Sequence, residues 1–214
     1  MRMTGRVSGR KSTVVRADRR DLCLDFINTL CWRGSASPSE SLHGIGDVLE
    51  WCTANGAIEA DAARAGWWSK HAKEAATAFA EAIALRETLC RIFVATTAAP
   101  LTGTGEARAA DLAAFNRWLD AAPARRRLRR AGDGYGWEVA EPRTAAPGLL
   151  AAVLWSAGDL LAEPMRRRVR QCANPECRWL FLDDSKSGTR RWCTMSVCGN
   201  RAKAHRHYEA QKRA

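Results

Sequence analysis

The sequence predicts a mainly α-helical protein, with a helical N-terminal domain that carries one small β-hairpin and a small C-terminal module that ends in a helix. Three observations predict this class. Apolar residues recur at helical spacing through residues 21–163, a glycine-rich turn interrupts that pattern once, and residues 164–214 contain four cysteines in two matched pairs. A chain of 214 residues with 46% apolar content can bury a core, which excludes a wholly disordered protein.

Most of the N-terminal domain is predicted as a series of helices. Their expected bounds are 47–54, 58–97 (one or two helices), 111–122 and 147–163, with a loop at 101–105. The 147–163 helix is apolar on nearly every side, which predicts a central position. Residues 126–142 differ, because Asp133-Gly134-Tyr135-Gly136 separates two short segments in the manner of a hairpin turn. Pro164 should end the last helix and open the link to the C-terminal module.

The net charge of +11 is unevenly distributed along the chain. Residues 1–20 hold seven lysines and arginines against one acid, residues 21–164 fourteen against eighteen, and residues 165–214 thirteen against four. Basic ends on a mildly acidic body are typical of a polyanion-binding protein, because clustered lysines and arginines displace counterions from phosphates. Acidic proteins and membrane surfaces are alternative targets. Residues 1–20 are predicted to be a disordered basic arm that binds nonspecifically.

Two features indicate a soluble, cytoplasmic protein. Even the best apolar run, 147–162, contains Asp159 and falls short of the roughly 18 to 20 uncharged residues of a membrane span. Arg19-Arg20 does not begin an export signal, since Asp21 and Asp25 break the apolar run behind it. The cysteines are therefore expected in a reducing compartment, where spaced cysteines are more often metal ligands than disulfides.

Four cysteines near the C-terminus have the spacing of metal ligands. They form two pairs with four intervening residues each, separated by fifteen residues: Cys172, Cys177, Cys193 and Cys198. Tetrahedral Zn²⁺ takes four soft ligands, and turns at Pro175 and Gly199 suit the two knuckles. The alternatives are chance clustering, two disulfides, or His205 or His207 as a ligand, which would leave one cysteine unexplained. A site of four thiolates has no open position, so the sequence predicts one structural zinc.

The remaining cysteines, Cys23, Cys31, Cys52 and Cys90, lie among apolar residues of predicted helices. A free cysteine behaves as a small hydrophobic residue, so we expect these four to be packed in the core.

The rest of the C-terminal module can be arranged around the predicted zinc. Residues 169–173 and 179–183 suit a small hairpin, and a helix should run from Asn200, a candidate cap, to the end. A hairpin and a helix held by zinc resemble a treble-clef finger. On that helix Ala204 and Tyr208 share one side, which is predicted to pack against the finger, while the basic residues share another.

Basic side chains in this module are candidate nucleic-acid contacts. They are Arg190, Arg191, Arg201, Lys203, Arg206 and His207. Arginines close to the metal could instead neutralise the thiolates, whereas Lys203 and Arg206 should project away from the ion. A basic helix beside a rigid zinc knuckle suits phosphate contacts and entry into a major groove.

Two segments of the sequence resemble known protein families. Cys198-Gly199-Asn200-Arg201 is the signature of the CGNR zinc fingers, and residues 170–208 resemble that family throughout. Leu22 to Leu30, LCLDFINTL, is similar to the LxLDFxNT motif that opens the ABATE domain. The resemblance implies a bacterial stress-induced transcription regulator whose finger binds DNA. Family members often have glycines just before this motif, whereas this chain has Ala17-Asp18-Arg19-Arg20-Asp21, so the entry into the first helix is expected to differ.

The N-terminal domain shows no enzyme signature. His43 and His71 are not spaced with a serine or cysteine in a nucleophilic arrangement, and no glycine-rich phosphate loop follows a strand. Asp25 and Asn28 lie three residues apart and could share a helix face with Trp32. These three residues could line a pocket for a small effector, or they could fix helix packing through hydrogen bonds to the backbone.

The sequence therefore predicts a DNA-binding transcription regulator with a structural zinc finger. The helical domain would act as a sensor or an oligomerisation unit, and a homodimer is expected on general grounds. Two alternatives remain open. One is an RNA-binding module in which Trp179, Phe181 and Trp192 stack on unpaired bases, although these residues also suit a minimal finger core. The other is a finger that binds proteins and not nucleic acid.

Overall fold

Eight α-helices and seven short strands are found in the residues that the structure, a computed structural model, describes: 12–15, 19–59, 62–97, 105–140 and 145–212. The helices are α1 (Leu22–Ile27), α2 (Ile45–Ala54), α3 (Ala62–Lys70), α4 (Ala72–Thr96), α5 (Ala109–Ala121), α6 (Ala146–Leu149), α7 (Ala151–Ala162) and α8 (Asn200–Lys212). The strands are β1 (Ser12–Val15), β2 (Leu30–Cys31), β3 (Ser39–Glu40), β4 (Arg127–Ala131), β5 (Gly134–Ala140), β6 (Val169–Gln171) and β7 (Leu180–Leu182). The predicted mainly α-helical class is confirmed.

Helix α7 lies at the centre of the core, as its apolar sequence predicts. Residues 151–157 are all buried. Helix α1 packs against α7 and is held there by polar contacts, since Cys23 N donates to Ser156 Oγ (3.1 Å) and Ser156 Oγ donates to Arg20 O (3.0 Å). The single helix predicted over 147–163 is in fact two, because Leu150 leaves helical geometry (φ −98°, ψ 21°). Leu149 and Leu150, at the break, are both fully buried.

The predicted 58–97 region forms two helices that meet at His71. His71 has non-helical dihedral angles (φ −126°, ψ 66°), and its ring stacks on Trp67 with 4.0 Å between the centroids. Helix α4 then supplies one wall of the core and also buries Arg86, whose guanidinium makes two bonds of 2.7 Å to Glu40. This partly buried ion pair ties β3 to α4.

The predicted hairpin is present as β4 and β5. Its turn is Gly132-Asp133, one step earlier than the predicted glycines, and Gly132 adopts a φ of +62°. Glycine with positive φ at the first central position matches a type II′ turn, which suits the twist of a two-residue hairpin. Gly136 serves a different purpose, because a Cβ there would lie 2.3 Å from Val14 Cγ1 on the neighbouring strand.

That neighbouring strand, β1, corrects one prediction. Residues 1–11 and 16–18 of the predicted disordered arm lie outside the described residues, but Ser12–Val15 pair antiparallel with β5 and Val15 is fully buried. The prediction of disorder is wrong for these four residues. Their Ser-Thr-Val-Val sequence favours a strand. This strand pairs with the edge of β5 that β4 does not occupy.

Helix α1 is too short to contain all three residues predicted to share a helix face, Asp25, Asn28 and Trp32. It ends at Ile27, and Thr29 Oγ1 donates to Phe26 O (2.8 Å) as the chain turns into β2. Trp32 lies beyond that strand, in a loop and with a φ of +54°. The prediction that Asp25, Asn28 and Trp32 share a helix face is therefore wrong.

The C-terminal module joins the core of the helical domain. Strands β6 and β7 pair as predicted, with Val169 opposite Leu182, and Val169 and Leu180 are buried in the same apolar cluster as α1 and α7. The zinc module is thus seated on the body through its hairpin.

The last helix corrects two further predictions. A π-helical turn, Met195–Gly199, runs directly into α8, and the Asn200 amide donates to Ser196 O (3.1 Å), so Asn200 is not an N-cap. Ala204 and Tyr208 do not pack against the finger, because both are exposed. Helix α8 instead projects from the zinc module. Among the described helices, none combines the length and the apolar character needed to cross a bilayer.

Candidate metal centre and nucleic-acid interface

The first cysteine pair lies in a loop that hydrogen bonds shape into a knuckle. Cys172 follows β6, and its N–H donates to Trp179 O (2.7 Å) across the hairpin. Asn174 shapes the turn: its carbonyl accepts from Cys177 N (3.0 Å), and its side-chain oxygen accepts from Glu176 N (3.1 Å). Such asparagine turns bring the two ends of a short loop together. The x4 spacing thus places both thiols on one side of the loop.

The second pair lies just before the last helix, with Cys193 ahead of the π-helical turn and Cys198 within it. Gly199 N donates to Thr194 O (3.1 Å), which closes the turn that carries Cys198. Ala173 N donates to Arg191 O (2.9 Å), which joins the second knuckle to the first. Gly199 is buried, and a Cβ there would lie 2.8 Å from the side chain of Met195. These are the terminal atoms of a flexible, 56% exposed methionine side chain, which can move, so the space here does not by itself require glycine.

The four predicted ligands converge on one point. Their Sγ atoms all lie within 4.8 Å of one another, and Cys193 Sγ is 3.7 Å from both Cys177 Sγ and Cys198 Sγ. In a tetrahedral Zn²⁺ site with bonds of about 2.3 Å the sulfurs lie about 3.8 Å apart. All four side chains are buried, the most exposed at 8%. The prediction of one structural zinc held by Cys172, Cys177, Cys193 and Cys198 is confirmed.

The thiols need a cation in order to ionise together. Burial, followed by the charge of neighbouring thiolates, raises the pKa of Cys193 to about 12 and also raises the pKa of Cys177. Zn²⁺ reverses this effect, because its double positive charge favours the thiolate form. Asn174 Nδ2 lies 3.7 Å from Cys198 Sγ and can donate to a metal-bound thiolate. His205 and His207, the rival ligands, have side chains outside the described residues.

One predicted nucleic-acid contact, Arg190, is used inside the finger. Its guanidinium donates to the carbonyl oxygens of Trp192 (2.9 Å from Nε) and Cys193, and it lies 4.6 Å from the centroid of the Phe181 ring. Its backbone N–H donates to Asp183 Oδ2 (2.9 Å). We therefore assign Arg190 to the support of the second knuckle. Its side chain is still 38% exposed, and its contact with nucleic acid stays a prediction.

The loop before that knuckle depends on a fully buried carboxylate that the sequence analysis did not select. Asp183 accepts from Ser185 Oγ (2.5 Å) and Ser185 N (3.1 Å) as well as from Arg190 N. The hydrogen bond from the Ser185 hydroxyl and the backbone donors hold the pKa of Asp183 below its ordinary value, against the effect of burial. Asp183 thus fixes the loop that leads to Cys193.

The other basic candidates have different surroundings. Arg191 and Lys203 are exposed, and the Arg191 guanidinium lies 5.4 Å from the centroid of the Trp192 ring. Arg201 lies 4.4 Å from the centroid of the Trp32 ring and 4.0 Å from Glu176 Oε2, yet its side chain is 59% exposed. The side chains of Arg206 and His207 lie outside the described residues.

A cleft of about 580 Å³ opens beside the zinc site, between the two knuckles and the start of α8. Its lining is mainly apolar and includes Ala173, Pro175, Trp192 and Ala202, together with Arg191 and Arg201.

Residues from the N-terminal motif hold the finger in place. The Asn28 amide pairs with the backbone of β7: Nδ2 donates to Leu180 O (2.8 Å) and Oδ1 accepts from Leu180 N (3.1 Å). Asp25 is half-buried and forms an ion pair with Arg19. Trp32 packs against the cysteine cluster. The contacts of Asn28 and Trp32 are therefore with the finger, as the packing alternative predicts; effector binding by these three residues stays a prediction.

A glycine in the same loop completes the docking. Gly34 N donates to Glu176 O (3.0 Å), and a Cβ at this position would lie 1.9 Å from Pro175 O. Only glycine allows the loop to lie this close to the first knuckle.

Two family models match the chain. The ABATE model, described as "Putative stress-induced transcription regulator", matches residues 20–164, and the CGNR zinc finger model matches residues 168–211. The chain belongs to the ABATE family. It carries the CGNR zinc finger as its C-terminal module, and the resemblance seen in the sequence is confirmed. No curated protein matches the chain.

Sequence reasoning did not select two features of the ABATE domain, Gly34 and the arginine run at residues 125–130. Gly34 gave no signal, because its closeness to the finger arises only in three dimensions. The arginine run at residues 125–130 gave a clear signal, since five of its six residues are arginine. The summed charge of residues 21–164 is negative, however, and this sum conceals the run.

Proposed function

We propose that this ABATE protein is a DNA-binding transcription regulator that acts by binding and not by catalysis. The single observation that carries the proposal is the basic helix α8, which starts at the zinc site and projects from it. Its sequence contains four lysines and arginines and one acid, and the described side chains from Lys203 onward are exposed. A helix of this kind can lie in a major groove and contact phosphates.

The start of the helix supports contacts to bases. Met195 and Val197, in the π-helical turn before α8, are 56% and 44% exposed. Exposed apolar side chains at the N-terminal end of a recognition helix suit contact with thymine methyl groups. Basic residues would then position the helix on phosphates, and the residues around the signature cysteine would contribute to sequence preference.

The zinc and the ABATE domain have supporting roles in this proposal. The closed four-thiolate site leaves no coordination position for a substrate, which favours a structural metal. The domain contacts the finger through Asn28, Trp32 and Gly34, so a change in the domain could alter how α8 is presented. A small effector, a homodimer and a cytoplasmic location are parts of the proposal that follow from a regulator's function.

Salt-dependent binding tests the proposal. The zinc-loaded protein is titrated onto random-sequence and selected duplex DNA across a series of KCl concentrations, beside K203A/R206A and the control K70A/K73A. Each phosphate contact contributes about 0.9 to the slope of log affinity against log salt. We expect K203A/R206A, the finger variant, to reduce the magnitude of this slope by about two. The control changes exposed lysines of α3 and α4 and should leave the slope unchanged. Equal affinity and slope for wild type and finger variant would contradict the assignment of α8.

The cleft beside the zinc site supports one second candidate, a single-stranded RNA. About 580 Å³ is enough for a nucleobase, and Trp192 and Arg191 line the cleft. Unpaired bases stack on aromatic rings and arginine planes. Competition between duplex DNA and single-stranded RNA of equal length separates the candidates: preferential displacement by RNA would favour the second.

A further inference from the structure

A second basic surface lies on the ABATE domain, far along the sequence from the finger. Residues 125–130 read Arg-Arg-Arg-Leu-Arg-Arg, and all six are exposed. Outside this run, residues 21–164 contain nine lysines and arginines against eighteen acids. The run is therefore a concentrated positive segment on a domain that is otherwise strongly acidic.

The fold places residues 127–130 of this segment on an edge strand, and Arg125 and Arg126 lie directly before it. In the three-stranded sheet the order is β1-β5-β4, so β4 has a partner on one side only. Side chains alternate along a strand, which puts Arg127 and Arg129 on one face and Leu128 and Arg130 on the other. Positive charge is thus presented from both faces of the hairpin.

Three of the arginines are available for a partner. Arg125 is bound to Asp159 of α7 by two bonds of 2.6 and 2.7 Å, and Arg129 lies 3.8 Å from Glu138 on β5. In the described part of the chain, Arg126, Arg127 and Arg130 take part in no ion pair. Like charges so close together repel one another, and a polyanion would relieve that repulsion.

Exposed apolar and aromatic groups lie between these charges. Tyr135, opposite Arg130 in the hairpin register, is 74% exposed, and Leu128 is 60% exposed. Edge strands often carry a charged side chain that prevents pairing with other chains. Five arginines in six residues, next to an exposed tyrosine, exceed this need and suit a nucleic-acid surface.

We propose that the β4–β5 hairpin is a second binding site for duplex DNA, in which Arg126, Arg127 and Arg130 contact the phosphate backbone. The tip of the hairpin, residues 129–136, extends beyond the residues paired with β1 and is a two-stranded ribbon, which a major groove can admit. Arginine binds phosphate through two parallel hydrogen bonds. Because these contacts are to the backbone, they add affinity to every sequence equally. This inference rests on the proposed function, since it assigns a further contact to the same ligand.

The test compares four forms of the zinc-loaded full-length protein: wild type, R126Q/R127Q/R130Q, K203A/R206A, and the control K70Q/K73Q/R117Q. The hairpin variant and the control each lower the net charge by three, so a general effect of charge is the same in both. Binding to duplex DNA is measured by fluorescence anisotropy across a series of KCl concentrations. Thermal unfolding of each variant checks the fold, which exposed substitutions should leave intact.

We expect the hairpin variant to lower the slope of log affinity against log salt by about two to three, and by the same amount on selected and random duplexes. The control should match the wild type. If the hairpin variant also matches the wild type while K203A/R206A loses affinity, the inference is wrong and the proposed function stands. If the wild type binds single-stranded RNA but no duplex DNA, both are wrong.

Discussion

At the scale of single residues, Asn28 carries most of the polar connection between the ABATE domain and the finger. It is 9% exposed, and its amide satisfies both backbone groups of Leu180, which is itself buried. The sequence identified Asn28 as a polar residue of interest but could not reveal its partner, because 152 residues separate the two. Its contact depends on tertiary packing and not on local sequence.

Replacement of Asn28 by alanine tests this connection. We expect N28A to lower the free energy of unfolding by about 1 to 3 kcal/mol, because the buried Leu180 N–H and C=O lose their partners. Asn55 offers a control, because it is half-buried and its amide donates locally, to Trp51 O (2.9 Å). Among the described residues its one other side-chain contact is exposed, since Oδ1 accepts from Arg19 Nη1 (3.3 Å). Chemical denaturation of both variants provides the measurement. A loss in N28A no larger than that in N55A would show that the amide pairing contributes nothing.

At the scale of elements, the sequence predicted well those helices and hairpins that depend on the pattern of neighbouring residues. The β6–β7 hairpin and the β4–β5 hairpin are both present, and α2 and α5 lie within two residues of their predicted bounds. The errors occur where tertiary contacts decide. A helix breaks at Leu150, where two leucines are fully buried in the core, and β1 forms because β5 offers an edge. The metal site was predictable because cysteine spacing reports ligand geometry directly.

Helix α8 should depend on zinc more than any other described element does. It has 13 residues, projects from the finger, and begins at the turn that holds Cys198. An isolated helix of this length is marginal in water. We expect chelation of zinc to remove the helical signal of α8 in circular dichroism while hydrogen exchange in α4 and α7 stays slow, since their apolar core does not include the metal. Persistent protection of α8 amides without zinc would contradict this account.

At the scale of the whole molecule, the two modules act as one unit. The finger's hairpin shares the core of the ABATE domain, while Trp32 and Gly34 of that domain lie against the zinc knuckles. This arrangement gives the basic helix α8 and the arginine hairpin fixed positions on one body. The sequence indicated polyanion binding from the charge at the chain ends but not from the hairpin, because its five arginines are offset by acids elsewhere in the domain.

The most direct test of the central claim is a zinc titration of the metal-free protein that follows duplex DNA affinity and bound metal together. The account predicts weak binding without metal and full affinity at one zinc per chain, because the ion fixes the turn from which α8 projects. Metal-free protein that binds duplex DNA as tightly and with the same salt dependence as the zinc-loaded protein would contradict it.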